Sequence, residues 1–233
     1  MKHFKTALSL LLVVACAVLS GWLIYEVAIQ PTSTIQKTEP IIIVDAGHGG
    51  FDGGAVAGDG TVEKDINLNI SNSLASLLKG FGYDVLMTRT EDTGTEDDSN
   101  ATIDKRKVSD LKNRLKMMNK YENSIFVSVH LNKFTTSSAD GAQVFYSKNH
   151  NDSRELGLKI QESIVELLQP DNKRVIKQGT KSTYLLHNAK NPAVIVECGF
   201  LSNSAELKKL QSEEYQKQMS FAIFCGILKY YNN

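Results

Sequence analysis

The sequence predicts an α/β fold: a single domain with a mostly parallel twisted sheet of about six strands and helices on both faces. Two observations predict it. Short apolar runs alternate with longer segments of helical period from about residue 40 to the C-terminus. These apolar runs are continuous rather than alternating with polar residues, which is typical of strands that are buried on both faces. A chain of 233 residues, 42% of them hydrophobic, is sufficient for one such core.

The elements follow in order from the first apolar run. Ile-Ile-Ile-Val at 41–44 predicts a buried strand, and a glycine-rich loop follows it. The segment 63–79 places its apolar residues largely on one side of a helix, which Gly80 and Gly82 end. An acidic stretch at 92–102 is predicted to be an exposed loop. Further strands are predicted at 83–88, 125–129, 141–146, 183–186 and 193–196, and further helices at 104–121, 153–168 and 204–231, the last as one or two helices.

The first thirty residues, 1–30, predict an N-terminal signal anchor or signal peptide. Residues 7–25 are 19 positions without a charge, and Lys2 and Lys5 precede them. Such a segment is long enough to cross a bilayer, and basic residues on its N-terminal side keep that end in the cytoplasm. We favour an uncleaved anchor over a cleaved signal peptide, and over lipoprotein cleavage at Cys16, because the apolar run continues past that cysteine. Each alternative exports the rest: a polar linker at 31–39 and a folded domain at 40–233.

Charge and cysteine content exclude several classes of function. The 26 basic and 26 acidic side chains cancel, so the chain has no electrostatic footprint for nucleic acid. The three cysteines, Cys16, Cys198 and Cys225, form neither a disulfide framework nor the spacing of a zinc knuckle. A functional site is therefore expected to be a local cluster of side chains.

Polar side chains follow three of the predicted strands where each strand ends. His48 lies in the glycine-rich loop, His130 ends SIFVSVH, and Glu197 ends AVIVE. In open α/β sheets, functional groups gather outside the carboxyl ends of the strands. Glu63 lies at the predicted start of the helix that returns from this edge. The sequence therefore predicts that these four residues meet.

Two histidines and a glutamate are the ligand set of a zinc site that keeps one position open for water. His48, Glu63 and His130 fit this set. Glu197 follows an apolar strand, where burial of a carboxylate costs several kcal/mol unless it is compensated; it would act as general base for the water and then as acid for a leaving amine. The loop glycines allow the backbone to bend tightly around a metal. Asp52 is expected to hydrogen-bond within the loop or to orient a ligand.

Each of these residues also has a structural interpretation, and other kinds of site were considered. A single strand-end histidine or helix-start acid commonly stabilises the fold alone. The loop fits neither a dinucleotide fingerprint, in which Asp52 would have to be glycine, nor a P-loop, which ends in Gly-Lys-Ser/Thr. A Cys198 nucleophile with His130 as its base would leave His48, Glu63 and Glu197 unexplained. His150 and His187 are predicted to be surface residues in loops.

Four separated features resemble, in order and spacing, the zinc-dependent N-acetylmuramoyl-L-alanine amidases of the amidase-3 type. They are IIIVDAGHGGFDGGAV, Glu63 at the head of a helix, SVHLN and PAVIVECGFLSN. The resemblance covers about residues 40–231 and is greatest to the germination-specific CwlD type. It implies that His48, Glu63 and His130 bind Zn²⁺ and that Glu197 is catalytic. The implied reaction cleaves peptidoglycan between N-acetylmuramic acid and L-alanine, preparing spore cortex for muramic-δ-lactam formation and germination.

The resemblance also implies an exported enzyme, either membrane-anchored or secreted, that acts in the cell wall or spore cortex. No wall-binding module is apparent, so a non-catalytic or partner-activated peptidoglycan-binding protein of the same fold is an alternative, and a zinc carboxypeptidase is another. Some family members carry a basic residue where His187 stands, which leaves substrate positioning open. Asn132 is expected to contact substrate or to stabilise its loop. Arg89 and Arg114 are expected to form structural ion pairs.

Overall fold

The computed structural model describes residues 40–232 of the chain. The segments predicted to be a signal anchor or signal peptide, 1–30, and a linker, 31–39, lie outside the described residues. Within the described range, none of the helices has the length and apolar character needed to span a bilayer.

Six strands and six helices alternate along residues 40–232. The strands are β1 (Ile41–Ala46), β2 (Val85–Met87), β3 (Ser124–Asn132), β4 (Gln143–Tyr146), β5 (Lys177–Gln178) and β6 (Ala193–Phe200). The helices are α1 (Glu63–Gly80), α2 (Ile103–Met118), α3 (Asp152–Leu167), α4 (Tyr184–Asn188), α5 (Ser204–Leu210) and α6 (Glu213–Tyr231).

The strands form one sheet in the order β2-β1-β3-β6-β4-β5. The first four strands of this order are mutually parallel, whereas β4 runs antiparallel to β6 and pairs in parallel with β5. The mostly parallel α/β fold predicted from the sequence is therefore confirmed. Because β1, β3 and β6 are neighbours with the same direction, their carboxyl ends lie side by side.

Apolar side chains cover both faces of the sheet, which explains the continuous apolar run of the first strand. Ile42 and Val44 point into a large cluster that includes apolar residues of α1, α3 and α6. Ile43, between them, points into a smaller cluster on the opposite face with Phe126 and Leu186. Successive residues of a strand point to opposite faces, so a strand packed on both faces is apolar at successive positions, as 41–44 are.

The strand predicted at 183–186 is wrong. These residues form the beginning of α4, where the N–H of His187 donates to the carbonyl of Thr183 at 2.9 Å, a helical hydrogen bond. A short apolar run has too few residues for its period to distinguish a strand from a buried helix. The strand that completes the six-stranded sheet is β5 instead. It is an exposed edge strand of two polar residues, so no apolar run indicated it. His187 is consequently in a helix rather than a loop.

Candidate metal and catalytic site

The loop after β1 holds His48 in a backbone conformation that side chains rarely adopt. His48 has a φ of 62°, and no other non-glycine residue within 40–232 has a positive φ. Such conformations cost about 1–3 kcal/mol and persist where surrounding contacts hold them, often at functional sites. Here Arg114 Nη2 donates to the His48 carbonyl at 2.7 Å. Gly49 and Asp52 exchange two backbone hydrogen bonds, of 2.9 and 3.1 Å, so the loop folds back and brings Asp52 beside His48.

Three of the predicted site residues meet at the carboxyl edge of the sheet. Glu63 Oε1 lies 3.3 Å from His48 Nε2 and 3.1 Å from His130 Nδ1. The centres of the two imidazole rings are 4.9 Å apart. One donor atom from each of the three residues lies within 4.8 Å of the others, close enough to share one cation.

Glu63, the first residue of α1, is buried and fixed by backbone donors as well as by the histidines. Its Oε2 accepts from the N–H of Ala55 at 2.8 Å, and its Oε1 accepts from the N–H of Leu131 at 3.0 Å. Burial alone would raise the pKa of Glu63. Hydrogen bonds to His130 and His48 and the charges of these histidines lower the pKa by a larger amount, so the net pKa is below the usual range. The group is therefore a carboxylate at neutral pH.

The other nitrogen of the His48 ring faces a second carboxylate. His48 Nδ1 lies 2.8 Å from Asp52 Oδ2. Burial lowers the pKa of His48, but hydrogen bonds to Asp52 and Glu63 outweigh it and raise the pKa to about 9. The hydrogen bond with His48 is also the largest cause of a lowered pKa at Asp52. Two carboxylates on one imidazole thus make this position favourable for a positive charge.

Glu197 lies on β6 directly opposite His130 in the pairing of β3 with β6. Its Oε2 is buried and has no hydrogen-bond partner within residues 40–232. Burial raises the pKa of Glu197, the nearby Glu63 adds to this rise, and the histidines oppose it. A buried carboxyl oxygen without a protein donor is costly, and such atoms are commonly satisfied by a ligand or by water. The unpartnered Oε2 of Glu197, beside the cluster, therefore indicates that a ligand or water binds there.

The family model of N-acetylmuramoyl-L-alanine amidase, Amidase_3, matches residues 42–229. The chain belongs to this amidase family. The germination-specific N-acetylmuramoyl-L-alanine amidase of Bacillus subtilis (strain 168) is 34% identical over 191 residues, which are 82% of this chain and 79% of that protein. The amidase LytC of the same organism is 28% identical over 82% of this chain and 35% of its own length.

Solved structures agree with this membership. The CwlD amidase of Clostridioides difficile, in complex with the GerS lipoprotein, superposes with a TM-score of 0.80 at 41% identity and covers 83% of this chain and 99% of that one. An N-acetylmuramoyl-L-alanine amidase of Clostridium difficile 630 gives 0.72 at 29% identity, with 84% and 98% covered. The predicted enzyme class is confirmed: the protein is an amidase that acts on peptidoglycan, outside the cytoplasm.

Two arginines of the amidase that the sequence did not assign to the site hold the loop after β1. Arg114 forms the expected ion pair, 2.6 Å from Asp45 Oδ1. The expectation of an ion pair for Arg89 is wrong within the described residues, since Arg89 instead donates to the carbonyls of Ala46 and Gly47 at 2.9 and 3.0 Å. Every residue has a backbone carbonyl, so the sequence does not indicate which carbonyls Arg89 binds.

The remaining candidates of the amidase are not among the three residues whose donor atoms cluster. Cys198 is fully buried in the large apolar cluster and, next to Glu197 on a strand, points to the opposite face, so it cannot use His130 as a base. His150 is partly exposed and lies 3.9 Å from Asp152. The backbone carbonyl of Asn132 accepts from the N–H of Leu201 at 2.8 Å, which ties the ends of β3 and β6 together.

Replacing Gly47 with alanine is expected to reduce amidase activity by about 100-fold, because small displacements of reacting groups have effects of this size. A Cβ at Gly47 would lie 2.3 Å from the His130 ring, so the imidazole would have to move. Gly58→Ala is the matched control, because nothing lies within 4 Å of a Cβ there. Peptidoglycan digestion by the two variants tests this. Equal activity of the two would show that the contact between Gly47 and His130 is unimportant.

Proposed function

We propose that this amidase is a zinc hydrolase that cleaves the bond between N-acetylmuramic acid and L-alanine in spore-cortex peptidoglycan. His48, Glu63 and His130 are the proposed zinc ligands, and Glu197 is the proposed general base and acid. One observation carries the proposal: three donor atoms of zinc-binding type lie within 4.8 Å of one another, and an unpartnered carboxyl oxygen of Glu197 is buried on the adjacent strand.

The residues of the cluster fit zinc in chemistry and in space. Imidazole nitrogens and a carboxylate oxygen are common zinc ligands, and zinc-bound histidines typically donate their second N–H to a carboxylate, as His48 would to Asp52. Space around the donor atoms depends on glycine: a Cβ at Gly54 would lie 2.6 Å from Glu63 Oε2 and 2.7 Å from the His48 ring. Any larger residue at Gly54 would displace two proposed ligands.

The proposed mechanism assigns proton transfer to Glu197. Zinc, when bound, supplies a Lewis acid that polarises the substrate carbonyl and makes water a stronger acid. Glu197 takes the proton from water as the water oxygen attacks the lactyl carbonyl. It then donates this proton to the alanine nitrogen as the C–N bond breaks. Burial, which raises the pKa of Glu197, favours the protonated form that has to exist between the two steps.

The proposed role in the cortex is supported by the relatives. The similar Bacillus subtilis protein is described as germination-specific, and the Clostridioides difficile CwlD amidase was solved with a lipoprotein. We therefore propose that a partner protein recruits or activates this chain. We further propose that residues 1–30 associate it with a membrane, as an anchor or a cleaved signal, that 31–39 are a linker, and that 40–233 are the catalytic domain.

Chelation of the full-length protein is expected to abolish release of stem peptides that begin with a free L-alanine amine, and added zinc is expected to restore it. Mass spectrometry of digests from cortex and from vegetative peptidoglycan measures the bond broken and the preferred substrate. Metal analysis of the same samples gives the zinc content. Release of C-terminal residues would indicate a carboxypeptidase, zinc binding without cleavage would indicate a binding protein, and cleavage by zinc-free protein would contradict the proposal.

A further inference from the structure

Three polar side chains connect the surface of α2 with the candidate metal position. Lys107 Nζ lies 3.2 Å from Asp52 Oδ1. Asp52 Oδ2 lies 2.8 Å from His48 Nδ1, and His48 Nε2 lies 3.3 Å from Glu63 Oε1. Asp52 therefore uses Oδ2 for the imidazole, while its Oδ1 faces the lysine and also accepts a longer hydrogen bond, of 3.4 Å, from the N–H of Gly54.

We propose that Lys107 is a positioning residue for the metal ligand His48. By holding one oxygen of Asp52, Lys107 keeps the other oxygen aimed at the His48 ring. With Asp52 accepting the Nδ1–H, the Nε2 lone pair would be free to bind the metal. This inference rests on the proposed function, because it presupposes that His48 binds zinc.

Within its own loop the His48 imidazole is hydrogen-bonded by Asp52, so the orientation of that carboxylate sets the orientation of the ring. The ring is about one quarter exposed, and rotation about its Cβ–Cγ bond would exchange the two nitrogens. The backbone at His48 is in the strained left-handed region and is held from α2 by Arg114. Arg106 of the same helix lies 3.9 Å from the centre of the Phe51 ring. Contacts from α2 thus fix the loop at His48 and at Phe51, the residue before Asp52, and Lys107 is the contact that reaches a ligand through its partner.

The contribution of Lys107 is expected to be modest, since its side chain is 51% exposed and exposed ion pairs contribute little. Lys107→Met should weaken zinc binding by about 2- to 5-fold. Asp52→Asn should weaken it by about 10- to 100-fold, the usual effect of removing the partner of a ligating histidine. Lys107→Arg, which keeps the charge, should retain most of the affinity.

Zinc affinity of the full-length protein, measured by competition with a chromophoric chelator, tests the proposal. The matched control is Lys105→Met, which removes the same charge from an exposed position of α2 that forms no ion pair within residues 40–232. Lys105→Met should bind zinc like the wild type. High salt should remove the difference between Lys107→Met and wild type, because an exposed pair is screened.

A double-mutant cycle distinguishes positioning from a general effect of charge. If Lys107 acts through Asp52, Lys107→Met should have no further effect in the Asp52→Asn background. Nitrogen-15 NMR of zinc-loaded protein should show His48 protonated at Nδ1 in the wild type. Equal affinities of Lys107→Met and Lys105→Met, or an undiminished effect in the Asp52→Asn background, would overturn the role of Lys107 while leaving the zinc site intact. Absence of zinc binding by the wild type would instead overturn the proposed function.

Discussion

Glu197→Gln is expected to lower kcat for peptidoglycan cleavage by about 10²- to 10⁴-fold, the usual contribution of a general acid–base group, with zinc affinity unchanged. Glutamine has nearly the same size but cannot accept and return a proton. Glu197 is not among the three residues whose donor atoms cluster, so its replacement leaves them in place. Turnover on defined muropeptides, together with metal analysis, measures the two effects separately.

The same variant is expected to be at least as stable as the wild type. The buried Oε2 of Glu197 has no protein donor, and burial opposes its charged form, so a neutral amide removes a cost. Glu206→Gln is a control for which we expect the opposite result, retained activity and lower stability. Glu206 is also a partly buried acid, but its oxygens accept from the N–H groups of Phe200 and Gly141, both at 2.8 Å.

Glu206→Gln should therefore keep its activity and lose about 1–3 kcal/mol of stability, because a glutamine amide has a single accepting oxygen and one of the two backbone N–H groups loses its partner. Thermal unfolding of the three proteins gives the comparison. Near wild-type turnover by Glu197→Gln would remove Glu197 from the mechanism.

The convergence of the site could be predicted because it follows from local patterns and one general rule. Where an apolar run is a strand, the polar residue that ends it marks the carboxyl end of that strand, and parallel neighbours bring those ends together. His130 and Glu197 meet for this reason, one opposite the other in the register of β3 and β6. Glu63 could be placed because the helical period of the segment begins at that residue.

The contacts that hold the loop could not be predicted, because they join residues far apart in the chain. Arg114 and Asp45 are separated by 69 positions, and Arg89 and Gly47 by 42. No local pattern shows which cation faces which carbonyl. The left-handed conformation of His48 is similarly hidden, since a histidine in that conformation is stabilised by distant partners rather than by its own preference. The strand predicted at 183–186 failed for a different reason, the shortness of the run.

Arg114→Met is expected to destabilise the folded domain by about 3–5 kcal/mol, the cost of leaving one member of a buried ion pair unpaired. The side chains of Arg114 and Asp45 are 2% and 1% exposed. Arg114 also donates to the carbonyls of Ala46 and His48, at 2.9 and 2.7 Å. Methionine would fill much of the space but would leave the Asp45 carboxylate and both carbonyls without this donor.

The loss should depend on pH in a direction set by Asp45. Burial alone would raise the pKa of Asp45. The charge of Arg114, together with the charge of His130 and hydrogen bonds from Ser128 and Thr88, lowers the pKa by a larger amount, to about 2. A carboxyl group whose folded pKa lies below its unfolded pKa of about 4 stabilises the fold above pH 4, and loses this contribution as pH falls toward 2. Without Arg114 the charged form of Asp45 is no longer favoured, so the difference between variant and wild type should be largest at neutral pH and smaller near pH 3.

Two further variants show whether the charge pair is the cause. Asp45→Asn combined with Arg114→Met should recover part of the lost stability, because it removes one of the two carboxylates that lose Arg114 as a partner; the other, Asp110, lies 2.7 Å from Arg114 Nε and keeps its charge. Arg154→Met, at an exposed position of α3, should change stability by less than about 0.5 kcal/mol. Unfolding of each full-length variant can be followed by circular dichroism in the same detergent. If Arg114→Met unfolded at the wild-type temperature at neutral pH, the loop that carries His48 would not depend on this ion pair. Its strained backbone would then have to be held mainly by Arg89 and by the two backbone hydrogen bonds between Gly49 and Asp52.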